Sequence, residues 1–248
     1  MRAIYFIWLR PVRKFLRERV RIGSSLIQPL LFLVSLGYGL GAVYRDAGRG
    51  SAVDFVTPGI LAMTVMSSST SSGLELVLER RSGFLQELFV SPLPRLSIMA
   101  GRLLGSATVC ALQAILVLAV FWIAGFRSFS ITSVLAIMPV VMLVSFLYTS
   151  FGSIIAAFQK DPSNFEIIIS TTIAPMFFLS GALFPLSGVP KFLMFLSRFD
   201  PLTYGVDMLR FILVGSGFLS FRLDCLVLCG VAGSLTILAA WLVSRMEL

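Results

Sequence analysis

The fold of this chain is decided by residues 175–210, which read PMFFLSGALFPLSGVPKFLMFLSRFDPLTYGVDMLR. The stretch begins inside an apolar run and leaves it at Gly181 and Pro185 without becoming a polar loop. A helix that crosses a bilayer needs about 20 predominantly apolar residues. The stretch therefore predicts the end of a membrane span, followed by further structure outside it.

Two half-apolar pieces follow, at 189–199 and 204–213, and Pro201 lies in the turn between them. A helix in the bilayer core would not tolerate Lys191 and Arg198 in its middle, because buried charge is costly there. We therefore predict two short helices that dip into the outer face of a membrane protein and cap a pathway.

The composition is that of an integral membrane protein. Of the 248 residues, 57% are hydrophobic and 13% are charged, whereas soluble domains carry about 25% charged residues. The net charge of +8 does not indicate nucleic-acid binding, because the basic residues flank apolar runs and no soluble domain is present to carry a basic surface. One membrane domain is expected, and a chain this small is expected to need a second copy to enclose a path for a large solute.

Six charge-free runs predict six spans in an all-α membrane fold. The fourth run contains Pro139 and is long, so tilt or a kink is expected there. The runs cover residues 23–44, 55–74, 103–126, 128–159, 167–190 and 225–244.

The distribution of Arg and Lys predicts the orientation. If the N-terminus lies inside, the inner segments hold thirteen of these residues and the outer segments hold seven. Cytoplasmic loops of membrane proteins carry an excess of Arg and Lys, so this arrangement is the favoured one. Both termini are therefore expected in the cytoplasm, residues 75–102 inside, and residues 186–222 outside with the re-entrant helices at 186–217.

Residues 1–22 predict a basic amphipathic helix in the cytoplasmic interface, preceding the six-span domain of residues 23–248. Its basic side chains can meet anionic lipid headgroups at about 1 kcal/mol each. A signal-peptide start is the alternative, but the apolar run that follows is too long for one. The apolar face carries Ile4, Trp8, Val12, Phe15, Leu16 and Val20, and the basic face carries Arg10, Arg13, Lys14, Arg17 and Arg21.

The residue inventory argues against an enzyme. The chain has no histidine, and its three cysteines lie in apolar runs without a CxxC motif, so no catalytic residue or metal ligand is expected. The spans carry ionisable residues only near their ends, whereas ion-driven carriers usually place one at mid-membrane. The Ser-rich run 67–72 lies inside the second span, where it either packs helices closely or lines a polar cavity.

The chain is not expected to bind ATP. None of its lysines, Lys14, Lys160 and Lys191, stands in the G-x-x-x-x-G-K-[ST] pattern of a phosphate-binding loop. If ATP drives this protein, ATP and magnesium are bound by another subunit.

The inner connection predicts a coupling element at 76–95. Residues 84–89 read FLQELF, which places apolar side chains on one face and Glu87 on the other. Pro92 biases Ser91 out of the helical region and ends the element. A short surface helix with a projecting carboxylate, held between two spans, can transmit a push from a cytoplasmic partner; a merely solvated Glu87 is the alternative.

Two motifs resemble the permease subunit of type-2 ATP-binding-cassette exporters, such as the bacterial drug-efflux, nodulation lipo-oligosaccharide and polysaccharide permeases. The first is RSGFLQELFVSPL at 81–93, similar to the coupling segment of that family. The second is FLSGALFPLSGVP at 178–190 with DPLTY at 200–204 and DMLR at 207–210, similar to its fifth-span exit signature. The DFVTPG sequence at 54–59 fits as well, and the resemblance covers nearly the whole chain.

The resemblance implies a homodimer of six-helix permeases in a bacterial inner membrane, paired with two ATP-binding-cassette subunits. It implies a lipid-like, amphipathic or saccharide-lipid solute. It assigns Arg81, Gly83, Glu87, Leu88, Ser91 and Pro92 to partner coupling, and Met63, Met66, Phe177 and Phe178 to the translocation path. It assigns Gly181, Pro185, Pro190, Pro201, Tyr204, Asp207 and Arg210 to an exit lid.

Several alternatives stay open at this point. A structural or regulatory membrane subunit that transports nothing would share the same spans, and an importer or haem-export subunit is a further possibility. The four path residues would equally suit a core or a lipid-facing surface. Asp207 and Arg210, three residues apart on one helix, predict either an exposed ion pair or a clasp that holds the outer helices shut.

Overall fold

A computed structural model of the chain describes residues 2–39, 52–83, 95–123, 130–185, 188 and 190–245. Within these ranges the chain forms nine α-helices and no strand, which confirms the all-α prediction. The helices are α1 Arg2–Arg17, α2 Arg19–Gly39, α3 Ala52–Arg81, α4 Arg95–Ile123, α5 Ile131–Phe158, α6 Pro162–Leu179, α7 Lys191–Ser197, α8 Pro201–Val214 and α9 Phe221–Ser244.

Four of the described helices are long and apolar enough to cross a membrane: α3, α4, α5 and α9. They carry the second, third, fourth and sixth predicted spans. A fifth is reached only if the bent pair α1 and α2 counts as one span. The fifth predicted span, 167–190, falls on α6, which ends at Leu179 because Gly181 takes a left-handed backbone conformation with φ of 69°.

The N-terminal boundary differs from the prediction. The amphipathic helix ends at Arg17 rather than at residue 22, and α2 begins at Arg19. The segments Ile4–Arg17 and Ile22–Gly37 meet at 73°. The break at Glu18 therefore lets α1 lie across the direction of α2, as an interfacial helix beside a span would.

Helix α3 is at the centre of the packed core and contacts α5 most closely. At Gly73 an added Cβ would lie 2.5 Å from the carbonyl oxygen of Gly152, and at Gly152 one would lie 2.7 Å from that of Thr70. The two backbones can approach this far only because both positions lack a side chain.

Hydroxyl groups join the packed helices inside the core. The Thr149 hydroxyl donates to Ser106 Oγ at 2.7 Å, and Ser150 and Thr236 share a hydrogen bond of 3.0 Å. Ser69 in the predicted Ser-rich run lies 3.1 Å from Cys110 Sγ and also donates to the Val65 carbonyl. Such bonds satisfy polar groups that have no access to water.

The two short helices predicted from the opening stretch are present as α7 and α8. Asp200 caps α8 by accepting from the Leu202 N–H at 3.0 Å, and Pro201 occupies the first helical position. Proline suits that position because its missing N–H has no partner in a helix anyway. Helix α8 is buried along most of its length, so it is a core element rather than a surface turn.

Candidate functional site

Arg210 forms the centre of a buried corner at the Ala52 end of α3. Its side chain is 4% exposed, Nη2 donates to the Gly181 carbonyl at 3.0 Å, and the guanidinium carbon lies 4.1 Å from the centre of the Phe55 ring. Cation–π contact and a carbonyl bond together stabilise a charge that would be costly to bury alone. Arg210 thereby ties α8 to α3 and to the turn after α6.

Asp207, one turn earlier on α8, holds the loop that follows this helix. Its carboxylate accepts from the Phe218 N–H at 2.8 and 3.0 Å and from the Leu219 N–H at 2.8 Å. With Asp207 also 4% exposed, the interpretation of an exposed pair with Arg210 is wrong. The clasp stays a prediction, and each of the two side chains secures a different segment to α8.

Two further bonds join α7 to α8. The Thr203 hydroxyl donates to the Ser197 carbonyl and the Tyr204 hydroxyl to the Arg198 carbonyl, both at 2.8 Å. Between the helices, burial raises the pKa of the Asp200 carboxyl to about 7, although the bond from the Leu202 N–H opposes the shift. The two helices are therefore joined by hydrogen bonds from α8 side chains to backbone carbonyls at the end of α7, and a buried carboxyl of raised pKa lies between them.

Three predicted lid residues, Gly181, Pro185 and Pro190, lie in the segment between α6 and α7. Gly181 is followed by Ala182, whose backbone sits against Gly59 so closely that a Cβ on Gly59 would clash. The Pro185 carbonyl accepts from Gly188 N at 3.4 Å, and the Pro190 carbonyl accepts from Leu193 N at 2.9 Å at the start of α7.

The structure does not bring the four predicted path residues onto one surface. Met66 is fully buried in the core, and Phe177 is nearly so, with its ring 6.4 Å from that of Phe32. Phe178 is 53% exposed. Met63 lines a cavity of about 180 Å³ with Ser67 and Ser71 of the Ser-rich run, among other residues.

Of the predicted coupling residues, Arg81 ends α3 with an exposed side chain, and Gly83 follows in a left-handed conformation with φ of 77°. The remaining four, Glu87, Leu88, Ser91 and Pro92, lie outside the described residues.

An ionic cluster that the sequence analysis missed lies at the Arg81 end of α3. Lys14 bonds to Glu75 at 2.9 Å, and Arg10 bonds to Glu79 at 2.8 Å. Arg102 of α4 also pairs with Glu79 and donates to the Ser72 carbonyl. These groups come from segments far apart in sequence, so their pairing has no local signal.

Helix α1 packs directly on α4 in the same region. An added Cβ at Gly101 would lie 2.8 Å from Ile7 Cβ, and one at Gly105 would lie 2.5 Å from Pro11 Cγ. The Trp8 Nε1–H donates to Thr108 Oγ1 at 2.9 Å. The Gly-x-x-x-Gly spacing at 101–105 is a known signature of close helix contact in membranes and would have indicated this docking.

The two sites are separated by about the thickness of a bilayer. From Phe55 beside Arg210 to Glu79 in the ionic cluster, α3 rises about 36 Å at 1.5 Å per residue. A hydrocarbon core is about 30 Å thick. One helix therefore contacts both the buried corner and the docked amphipathic helix.

Comparison with known proteins is consistent with this architecture. The family model for the ABC-2 type transporter matches residues 2–214. The chain belongs to the ABC-2 type transporter family. The resemblance drawn from the coupling and exit motifs is thereby confirmed, and the chain is a multi-pass ABC-2 permease.

Several ABC-2 relatives are similar over most of their length. Nodulation protein J of Rhizobium leguminosarum bv. trifolii is 28% identical over an alignment that covers 77% of this chain and 73% of the relative's length. The putative transport permease ycf38 of Cyanophora paradoxa is 28% identical over 82% and 71%, respectively. The inner membrane transport permease YadH of Escherichia coli K12 is 24% identical over 86% and 83%.

Proposed function

We propose that this ABC-2 permease is half of the membrane part of an ATP-driven exporter in a bacterial inner membrane. Two copies pair with two ATP-binding-cassette subunits, which bind ATP and magnesium, and a lipid-like, amphipathic or saccharide-lipid solute leaves between the copies. The names of the relatives, an inner membrane permease and nodulation proteins, support the class of function.

The structural observation that carries the proposal is the exposure of α6. Only Phe165 and Phe177 of this 18-residue apolar helix are buried, and Phe178 and Ile167 are among its exposed residues. An apolar helix beside the core with so little cover fits a second copy across a shared path. The Ala52 end of α3, beside the buried corner, would then face outside, and its Arg81 end would face the ATPases.

A cysteine cross-link tests the second copy. Phe178→Cys on α6 should form a disulfide between two copies in membranes under mild oxidation, because the paired helices would bring the two thiols together. Leu226→Cys is the matched control, since Leu226 is 74% exposed on α9, a helix outside the proposed pairing surface. Both variants are made without the native cysteines. Equal cross-linking at the two positions would contradict pairing through α6.

External labelling tests the orientation. In the same background, Lys191→Cys at the start of α7 should react with a membrane-impermeant thiol reagent on intact spheroplasts. Lys160→Cys between α5 and α6 should react only after the membrane is opened. Both lysines are exposed in the structure, so access depends on the side of the membrane. The reverse pattern would invert the topology and the export direction together.

Partner coupling is tested by Glu87→Lys. Reversing this charge should release or uncouple the ATPase while the permease still inserts, because a like charge would replace a pairing one. Glu18→Lys is the control, an exposed acid at the break between α1 and α2 on the same proposed side. Purified alone, the chain should hydrolyse no ATP, and with its ATPase it should form a two-plus-two complex. Unchanged transport and ATPase retention by Glu87→Lys would show that Glu87 is only solvated.

A further inference from the structure

A groove of about 770 Å³ runs between α1, α3 and α4 beside the ionic cluster. Ile7 and Pro11 of α1 form one apolar wall, and Leu78 and Ile98 form another. Pockets of about 300–1,000 Å³ with apolar walls and a few polar groups are typical ligand sites. The size and the walls suit an acyl chain with part of a headgroup.

The charges around this groove favour an anionic ligand. Lys14 and Arg10 line it with side chains 46% and 53% exposed, so both reach the solvent-facing mouth. A lysine ammonium has three donors, and the bond to Glu75 uses one of those on Lys14. Arg13 and Arg17 line an adjoining cavity of about 500 Å³ that shares Arg10 and Lys14. The two cavities together are lined by five basic side chains and three acidic ones, so their net charge is positive. The basic residues are Arg10, Arg13, Lys14, Arg17 and Arg102, and the acidic ones are Glu18, Glu75 and Glu79.

One polar atom inside the groove is also unexplained by the fold. Ser72 Oγ is buried and has no hydrogen-bond partner among the described residues, although Ser72 lines the groove. A buried hydroxyl without a partner is costly, and a ligand atom in the groove would satisfy it.

We propose that this groove binds a phospholipid with an anionic headgroup, taken from the membrane leaflet on which α1 lies. The phosphate sits at Lys14 and Arg10, and one acyl chain lies between the apolar walls. This is a defined site with a resident lipid, beyond general contact between the basic face of α1 and headgroups. It depends neither on the direction of transport nor on the transported solute.

Native mass spectrometry of the purified full chain in neutral detergent tests the site. Phosphatidylglycerol should be retained over phosphatidylcholine with the same acyl chains. Lys14→Gln should weaken phosphatidylglycerol binding about fivefold, the effect of one cation near a lipid surface. Glu75→Gln should strengthen it, because the carboxylate that competes for Lys14 is removed. Arg13→Gln, which removes a charge outside the groove, should have a smaller effect.

The two variants Lys14→Gln and Glu75→Gln break the same ion pair, which separates binding from folding. A merely structural pair would shift lipid retention in the same direction in both variants, and that result would overturn the proposal. Equal retention of the two lipids would overturn it as well, as would displacement of the lipid by millimolar inorganic phosphate.

A second pair of variants tests the acyl-chain part of the site. Ser72→Leu should reduce retention of phosphatidylglycerol by filling the groove, whereas Ser71→Leu, which lines a different cavity, should leave it unchanged. If Ser72→Leu retains the lipid as well as the unmodified chain does, the lipid binds elsewhere and the proposal fails.

Discussion

The contact between Gly73 and Gly152 predicts a large effect from a single methyl group. In Gly73→Ala the new Cβ would start 2.5 Å from the Gly152 carbonyl oxygen. Apolar contacts are most favourable at about 3.5–4.0 Å, so α3 and α5 would have to separate by about 1 Å. The three atoms nearest the new methyl are the oxygen, the carbonyl carbon and Cα of Gly152. All three belong to a helix backbone, which cannot rotate away as a side chain can.

Overpacking of this kind costs about 1–3 kcal/mol. Alanine is the better helix former by about 1 kcal/mol, so the net loss in the free energy of unfolding should lie between about zero and 2 kcal/mol. Gly233→Ala is the matched control, because Gly233 lies in α9 with no atom within 4 Å of its added Cβ. That variant should be as stable as the unmodified chain or slightly more stable.

The stability of both variants can be measured by unfolding the purified chain in mixed micelles with a rising fraction of dodecyl sulfate. The double variant Gly73→Ala/Gly152→Ala should lose less stability than the sum of the single losses, because the first methyl already separates the helices. If Gly73→Ala unfolds at the same detergent fraction as Gly233→Ala, the close approach of α3 and α5 is incorrect.

Three more predictions concern the α7–α8 region. Burial raises the pKa of the Asp200 carboxyl to about 7. The protonated carboxyl therefore contributes stability that is fully present below its ordinary pKa near 4 and is lost as the pH rises through about 7. Asp200→Asn should remove this dependence of the free energy of unfolding on pH, which unfolding measured between about pH 4 and pH 7 checks. Asp207→Asn should lower the free energy of unfolding by about 1–3 kcal/mol, because an amide cannot accept all the hydrogen bonds from the 218–219 backbone. Asp161→Asn is the control and should be neutral, because Asp and Asn cap a helix N-terminus about equally well. Gly181→Leu should impair transport more than membrane insertion. Gly181 has a left-handed backbone conformation, and a bulky side chain there would distort the turn whose carbonyl binds Arg210. A transport assay paired with quantification of the inserted protein checks this.

Sequence patterns predicted the elements better than their contacts. The charge-free runs predicted α3, α4, α5 and α9, because apolar length alone decides what can enter a bilayer. The proline turn after Asp200 predicted the break between α7 and α8. The end of α1 was placed five residues too late, since the basic and apolar periodicity of residues 1–22 continues past the turn at Glu18.

The sites could be predicted only in part, for a physical reason. Motif resemblance brought Arg210 and Asp207 to attention, but their burial and separate partners depend on how α8 packs, which periodicity does not show. The ion pair of Lys14 with Glu75 joins residues 61 positions apart, and the Gly73–Gly152 contact joins two different spans. Only the Gly-x-x-x-Gly spacing at 101–105 carried a local signal for a contact that the sequence analysis did not use.

The docking of α1 on α4 sets an order of events during synthesis. The Trp8 side chain bonds to Thr108, a residue made one hundred positions later. At about 5–20 residues per second, about 5–20 s separate the synthesis of Trp8 from that of Thr108. During that time the apolar stripe of α1 has no partner helix to cover it, so the affinity of this first helix for a bilayer surface should bear on the yield of folded permease.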